Sequence, residues 1–213
     1  MTENQSAAAT REDIYRLLAA CYYSPTPALL DENCCNALAT LLSVLAPEAA
    51  GHATEAATIS LDSSVETLAV EHGRLFIGPF QLVAPPYGSY YLDERKIVMG
   101  DSTARADAFY SFCGLHLSDD FYELPDHITV ELEFMSFLVF KQREAAATGN
   151  TDEAKRLVGL QREFLSTFLM PWIEPFTSAV IIDGEAPFYQ AIARCTADFI
   201  TNDNSALAIS DNG

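Results

Sequence analysis

Residues 126–147 read DHITVELEFMSFLVFKQREAAA, and within them Leu132, Met135, Leu138 and Val139 recur at the three-and-four spacing of one helix face. Asp126 stands where a helix N-cap is expected, and Gly149-Asn150 supplies the stop. Working outward, Asn150 and Glu153 open a second helix that should reach Leu169 before Pro171. A shorter helix then covers Trp172 to Val180, and Asp183-Gly184 turns the chain. The last helix has Pro187 in its first turn and Phe188, Ile192, Cys195 and Phe199 on one side. Toward the N-terminus, Ile14, Leu17, Leu18, Cys21 and Tyr22 form a helix stopped by Pro25 and Pro27. Another spans Leu29 to Leu45, and the Ala/Thr-rich stretch from Ala46 to Ser60 reads as a connection. Ser63 and Glu66 form a capping box for a helix carrying Leu68, Leu75 and Phe76, closed by Gly78-Pro79. Lys96 to Met99 suits a short extended piece, and Asp101 or Ser102 caps a helix that ends at Gly114. No alternation persists long enough for a sheet, so the expectation is an all-α, globular multi-helix bundle. It would occupy residues 11–201 as one domain, between a flexible start (1–10) and a flexible tail (202–213).

Composition narrows the function classes. Hydrophobic residues make up 49% of the 213 residues, enough for a real core. The longest apolar runs, such as Phe134 to Phe140, are too short to cross a bilayer, and the polar start from Met1 to Arg11 lacks a secretory signal's apolar middle. The expectation is a cytoplasmic protein without stable membrane insertion. Five scattered cysteines with no C-x-x-C spacing point to reduced, packed thiols rather than a zinc site or redox dithiol. Thirty acidic against twelve basic residues give a net charge of −18, which repels nucleic acid and anionic lipid and favours a basic ligand. Surface carboxylates also serve solubility alone.

Two segments offer more than packing. The first runs from Arg74 through Gly78 and Phe80 to Pro85-Pro86-Tyr87-Gly88-Ser89-Tyr90-Tyr91, a long proline/glycine-rich loop with an unusual aromatic load. It is either a strut packed on the core or one wall of a peptide groove. The second is Glu123-Leu124-Pro125-Asp126-His127, leading to Glu131. His127 and Glu131 stand four apart, so Asp126, His127 and Glu131 could bind metal, run acid–base chemistry or hold a cationic guest. His52, His72 and His116 add no ligand pattern, and Trp172 reads as a core or hinge aromatic. Phosphate loops, G-x-G-x-x-G, G-x-S-x-G and H-E-x-x-H are all missing.

The run Leu75-Phe76-Ile77-Gly78-Pro79, then Pro85-Pro86-Tyr87-Gly88-Ser89, Tyr91-Leu92-Asp93 and Gly100-Asp101-Ser102-Thr103, resembles the first signature of the TorD/DmsD/NarJ chaperones, most closely the DmsD-like branch. Glu123-x-x-Asp126-His127 is similar to that family's second signature, and Pro171-Trp172 and Pro187-Phe188-Tyr189 to its C-terminal part. The resemblance implies an all-helical cytoplasmic chaperone, not an enzyme. Such a chaperone binds the twin-arginine signal peptide of a molybdenum-containing reductase and assists cofactor insertion into its catalytic subunit before Tat export. It implies peptide-binding residues at His72, Leu75, Phe76, Pro85, Pro86, Tyr87, Ser89, Gly100, Glu123, Asp126 and His127. His72 and Tyr87 stand where related chaperones often carry tryptophan. No resident cofactor is implied, although transient contact with the molybdenum cofactor or a guanine nucleotide is suspected in the family.

The leading expectation is therefore that Asp126 pairs with a leader arginine while Leu75, Phe76 and Tyr87 meet its apolar part. The rivals are an enzyme built on Asp126, His127 and Glu131, a nucleotide-dependent maturation factor and a structural helical adaptor. The protein is expected as a monomer or as a domain-swapped dimer hinged at 46–60 or 115–125.

Overall fold

Helices packed around an aromatic and aliphatic interior make up most of the computed structural model, which describes residues 3–78, 82–116 and 123–209. Eleven α-helices and two π turns follow in order among the described residues. The first, α1 (Glu3–Tyr22), lies along α8 (Ile128–Ala147), and α9 (Thr151–Phe164) packs on the other side of α8. A second layer joins α3 (Cys34–Leu45), α4 (Pro47–Ser60) and α11 (Pro187–Ile209), with α10 (Met170–Asp183) against α11. Trp172, Tyr15, Tyr189, Phe164, Phe176 and Phe188 are fully buried between them.

The all-α reading holds, and several boundaries move. Residues 47–60 are helical rather than a connection: Ala49, Ala53, Ala56 and Ala57 make a buried alanine face that lets α4 approach α3 and α11 closely. That removes the stretch as an exchange hinge. The expected helix from Leu29 to Leu45 is broken into α2 (Pro27–Asp31) and α3 by Asn33, which takes a left-handed conformation at φ 51°. Its neighbour α5 (Val65–His72) is capped by Ser64, which accepts from Thr67 N at 3.1 Å, so the cap lies one residue after Ser63. Lys96 and Met99 have positive φ, making 96–99 a turn rather than an extended piece.

Pro171 does not end a helix. A π turn, Leu165–Leu169, precedes it, and the i+5 bonding of that turn displaces the carbonyl that the proline ring would otherwise strike. Residues Thr151–Ile182 thus form one helix long and apolar enough to cross a membrane by length and composition. Here it is a core element, with Phe164, Leu169, Trp172 and Phe176 inaccessible.

Both chain ends are more structured than expected. Helix α1 begins at Glu3, and Ala8 is buried; α11 continues to Ile209, so 202–209 is not a tail. Buried Asp203 is the cause. It accepts from Arg11 Nε at 2.6 Å, Arg11 Nη2 at 2.8 Å and Tyr15 Oη at 2.6 Å, clamping the last helix to the first. Met1, Thr2 and 210–213 lie outside the described residues, as do 79–81 and 117–122, which include Pro79, Phe80 and much of the expected 115–125 connection.

Candidate functional site

The two signature segments meet back to back. Gly88 N donates to the Asp126 carbonyl at 2.8 Å and Ile128 N to the Pro86 carbonyl at 2.9 Å, an isolated antiparallel bridge centred on Tyr87 and His127. This bridge sets where two helices start. Short α6 (Gly88–Leu92) begins beyond Tyr87, and α8 begins beyond His127. His127, not Asp126, is the N-cap of α8: its Nδ1 accepts from Thr129 N at 3.2 Å. Asp126 instead caps the opposite helix, its Oδ2 accepting from Ser89 N at 2.7 Å. Asp126 Oδ1 and Ser89 Oγ are buried with no protein partner.

A second cap crosses the loop. Helix α7 (Asp101–Phe112) starts after Gly100, which has no side chain to offer, so neither Asp101 nor Ser102 serves as the cap. Asp93 supplies it, accepting from Ser102 N at 3.2 Å and from Ser102 Oγ at 2.6 Å. A methyl group on Gly100 would lie 1.9 Å from Asp93 Oδ2, so only glycine admits this carboxylate. Gly88 is similarly close to Trp172, whose Nε1 would lie 3.1 Å from an added Cβ.

Burial divides the eleven expected residues. His72, Leu75, Phe76, Pro85, Pro86, Ser89, Asp126 and His127 are buried, while Tyr87, Gly100 and Glu123 are partly exposed. Leu75 and Phe76 belong to the core, where Phe76 meets Tyr22, His72, Phe176 and Tyr189 ring to ring. His72 Nε2 lies 3.0 Å from the carbonyl of Tyr22, fixing the end of α1, and burial lowers its pKa. Asp126 is 1% exposed, so the expected open Asp–His pair is instead an internal joint.

Glu131 does not join His127. It is 2% exposed and accepts from Trp172 Nε1 at 3.0 Å. Burial raises its pKa well above the carboxylate range, against the Trp172 hydrogen bond and with nearby Asp126 adding to the effect. His127 is neutral, since burial and then His72 depress its pKa to about 3. With Nδ1 accepting, the ring proton sits on Nε2, 3.7 Å from Glu123 Oε2. Among the described residues no three His, Cys, Asp or Glu side chains are grouped to hold a metal ion.

What reaches solvent is a carboxylate on an aromatic shelf. Tyr87 Oη donates to Glu123 Oε2 at 3.1 Å, and its ring meets His127 edge-on at 5.0 Å. Tyr23 interacts electrostatically with Glu133 and Glu123, and burial and then Glu133 push its pKa up to about 12. Sequence reasoning missed Tyr23 and Asp93 as parts of this site. The doubled tyrosine at the end of α1 was the available signal for the first.

A family model described as nitrate reductase delta subunit matches residues 28–178. The chain belongs to that family, which also takes in the TorD and DmsD chaperones. Relatives within it include the Tat proofreading chaperone DmsD of Salmonella typhi, 31% identical over 131 residues that cover 62% of this chain and 57% of the relative. Another is the chaperone protein TorD of a Psychrobacter species, 28% identical over 144 residues, 66% of this chain and 62% of the relative. The matched region thus spans less than two thirds of either relative's length. The delta-subunit family fold also matches a crystal structure described as a redox enzyme maturation protein from Archaeoglobus fulgidus. That match has a TM-score of 0.60 and 28% identity, over 89% of this chain and 93% of the other.

Proposed function

We propose that this protein is a cytoplasmic maturation chaperone, not an enzyme. It binds the twin-arginine signal peptide of a molybdenum-containing oxidoreductase and assists cofactor insertion before Tat export. The observation that carries this reading is the Tyr87–Glu123 shelf. Of the eleven expected binding residues, the side chains that reach solvent, Tyr87 and Glu123, present a carboxylate held by a tyrosine hydroxyl beside a neutral histidine. A guanidinium can displace or join such neutral donors with a charge-assisted bond, and the net charge of −18 steers a cationic leader toward it. Family membership and the names of its relatives support the same reading.

The buried signature residues then act through position. Asp126, His127, Ser89, Pro85 and Pro86 hold the two helix starts in register, Gly100 admits the Asp93 cap, and His72, Leu75 and Phe76 brace the loop from below. No resident cofactor is assigned, and any contact with the molybdenum cofactor or a guanine nucleotide belongs to the client's maturation. The partner is the leader and the catalytic subunit that carries it, met by the protein as a monomer or domain-swapped dimer.

Calorimetric titration with a twin-arginine leader, beside the same leader with both arginines changed to glutamine, tests this. Binding that weakens about tenfold or more on glutamine substitution, and weakens likewise with Glu123→Gln, is expected. Leaders from several reductases that all fail to bind would refute it.

A further inference from the structure

A leader carries an apolar stretch after its arginines, and the residues expected to receive that stretch, Leu75 and Phe76, are core. We propose that the stretch is seated in a separate apolar groove between the end of α7 and the first turns of α8, walled by Tyr110, Leu115, Val130, Phe134 and Phe137. The inference rests on the leader-binding reading above and adds a second subsite to it.

The groove has a volume of about 220 Å³ and also touches His116 and Glu133; no lysine or arginine is among the described residues that line it. Val130, Phe134 and Phe137 recur at i, i+4 and i+7 on a face of α8 distinct from the Leu132, Met135, Leu138 and Val139 core stripe. Phe140, 41% exposed, continues that face by one turn. The walls are fixed before any ligand arrives. Tyr110 Oη donates to the Pro125 carbonyl at 2.7 Å, its ring lies 4.5 Å from Phe134, and Phe134 lies 4.7 Å from fully buried Phe164. Phe137 stacks on Phe134 at 6.5 Å and remains partly open. A rigid aromatic cleft that loses little entropy on binding suits aliphatic side chains.

Charge complementarity selects the occupant. Glu133, exposed on α8, stands at the mouth of the groove. One carboxylate, Glu123, thus marks the Tyr87 shelf and a second, Glu133, marks the groove. Arginines first and apolar residues next is the order in which this surface would be met, from Glu123 past Glu133 to Phe137. A purely apolar partner would gain nothing from the two carboxylates.

Titrations of wild type and Phe137→Ser with a twin-arginine leader, and with that leader's apolar stretch changed to serine, form a double-mutant cycle. Phe137→Ser should weaken the native leader about tenfold and leave the serine leader unaffected. Equal affinity of wild type and Phe137→Ser for the native leader overturns the groove and leaves the chaperone reading standing. Failure of wild type to bind any twin-arginine leader removes both. Should Phe137→Ser lose helical signal, a photo-crosslinking residue in the leader's apolar stretch decides on the wild-type protein. Attachment at Leu115 or at 130–137 supports the groove, and attachment elsewhere overturns it. Self-association abolished by Phe137→Ser, with leader binding unchanged, would assign the groove to a second copy and also overturn the proposal.

Discussion

Replacing Gly100 by alanine separates a glycine that touches a peptide from one that clears space for a carboxylate. The backbone is no obstacle, since φ is −89° and ψ −165°. The obstacle is Asp93, with Oδ2 at 1.9 Å and Cγ at 3.0 Å from the added methyl. The Asp93 side chain must rotate away, giving up its bonds to Ser102 N and Oγ. Losing a helix cap costs about 0.5–2 kcal/mol and the hydroxyl bond about 0.5–1.5 more. The alanine recovers about 0.4–1 kcal/mol by restricting the unfolded chain. A net loss of about 1–2 kcal/mol follows, or a Tm lower by roughly 3–6 °C for a chain of this size. The sign should reverse once Asp93 is gone. In an Asp93→Ala background, Gly100→Ala meets no carboxylate and should be neutral, or stabilising by up to about 1 kcal/mol. Urea unfolding of the four proteins, followed by circular dichroism, measures the cycle. Equal destabilisation by Gly100→Ala in both backgrounds would refute the steric account.

Asp203→Ala should cost about 3–5 kcal/mol in urea unfolding, because it leaves Arg11 and Tyr15 buried without their shared acceptor; a loss under about 1 kcal/mol would mean that α11 is not clamped this way. The buried titratable pair makes stability depend on pH from both sides. Glu131 has a raised folded pKa, so its contribution is full below the unfolded value near 4.5 and is lost as pH rises from there toward the folded pKa. Glu131→Gln should therefore gain on wild type as pH rises from 4.5, and parallel curves would count against a neutral Glu131. His127 has a depressed folded pKa, so stability is lost as pH falls from the unfolded value near 6.5 toward about 3. His127→Asn, which keeps a side-chain acceptor at the cap, should lose less over that interval than wild type.

The helices were legible where burial and periodicity coincide. Leu132, Met135, Leu138 and Val139 mark α8, and Asn150 with Glu153 marks the start of α9, where Asn150 accepts from Glu153 N at 3.3 Å. They were illegible where the decisive partner is remote. Helix α4 buries alanines, whose weak apolar contrast hides an interface with two other helices. Asp203 owes its order to Arg11, 192 positions away, and no local pattern near the C-terminus reports that. Pro171 reads as a stop because sequence alone does not reveal the π turn that accommodates it.

The site shows the same division in a sharper form. Aromatics, prolines and an Asp-His pair in a loop read as ligand contacts, because those residue types are rarely needed to stay folded. Here they are needed. Asp126 serves a helix that starts 38 residues before it, and Asp93 serves one that starts eight residues after it. A helix start left uncapped inside the protein exposes backbone N–H groups to an apolar interior, so each carboxylate does work that a surface loop would leave to water. Asp126 Oδ2 is committed to Ser89 N, and withdrawing it would strand that donor. Glu123 is under no such demand, since its hydrogen-bond partner is the hydroxyl of partly exposed Tyr87. The leader-binding role proposed for Glu123 therefore falls on a residue that caps no helix, while Asp126 and Asp93 serve helix starts.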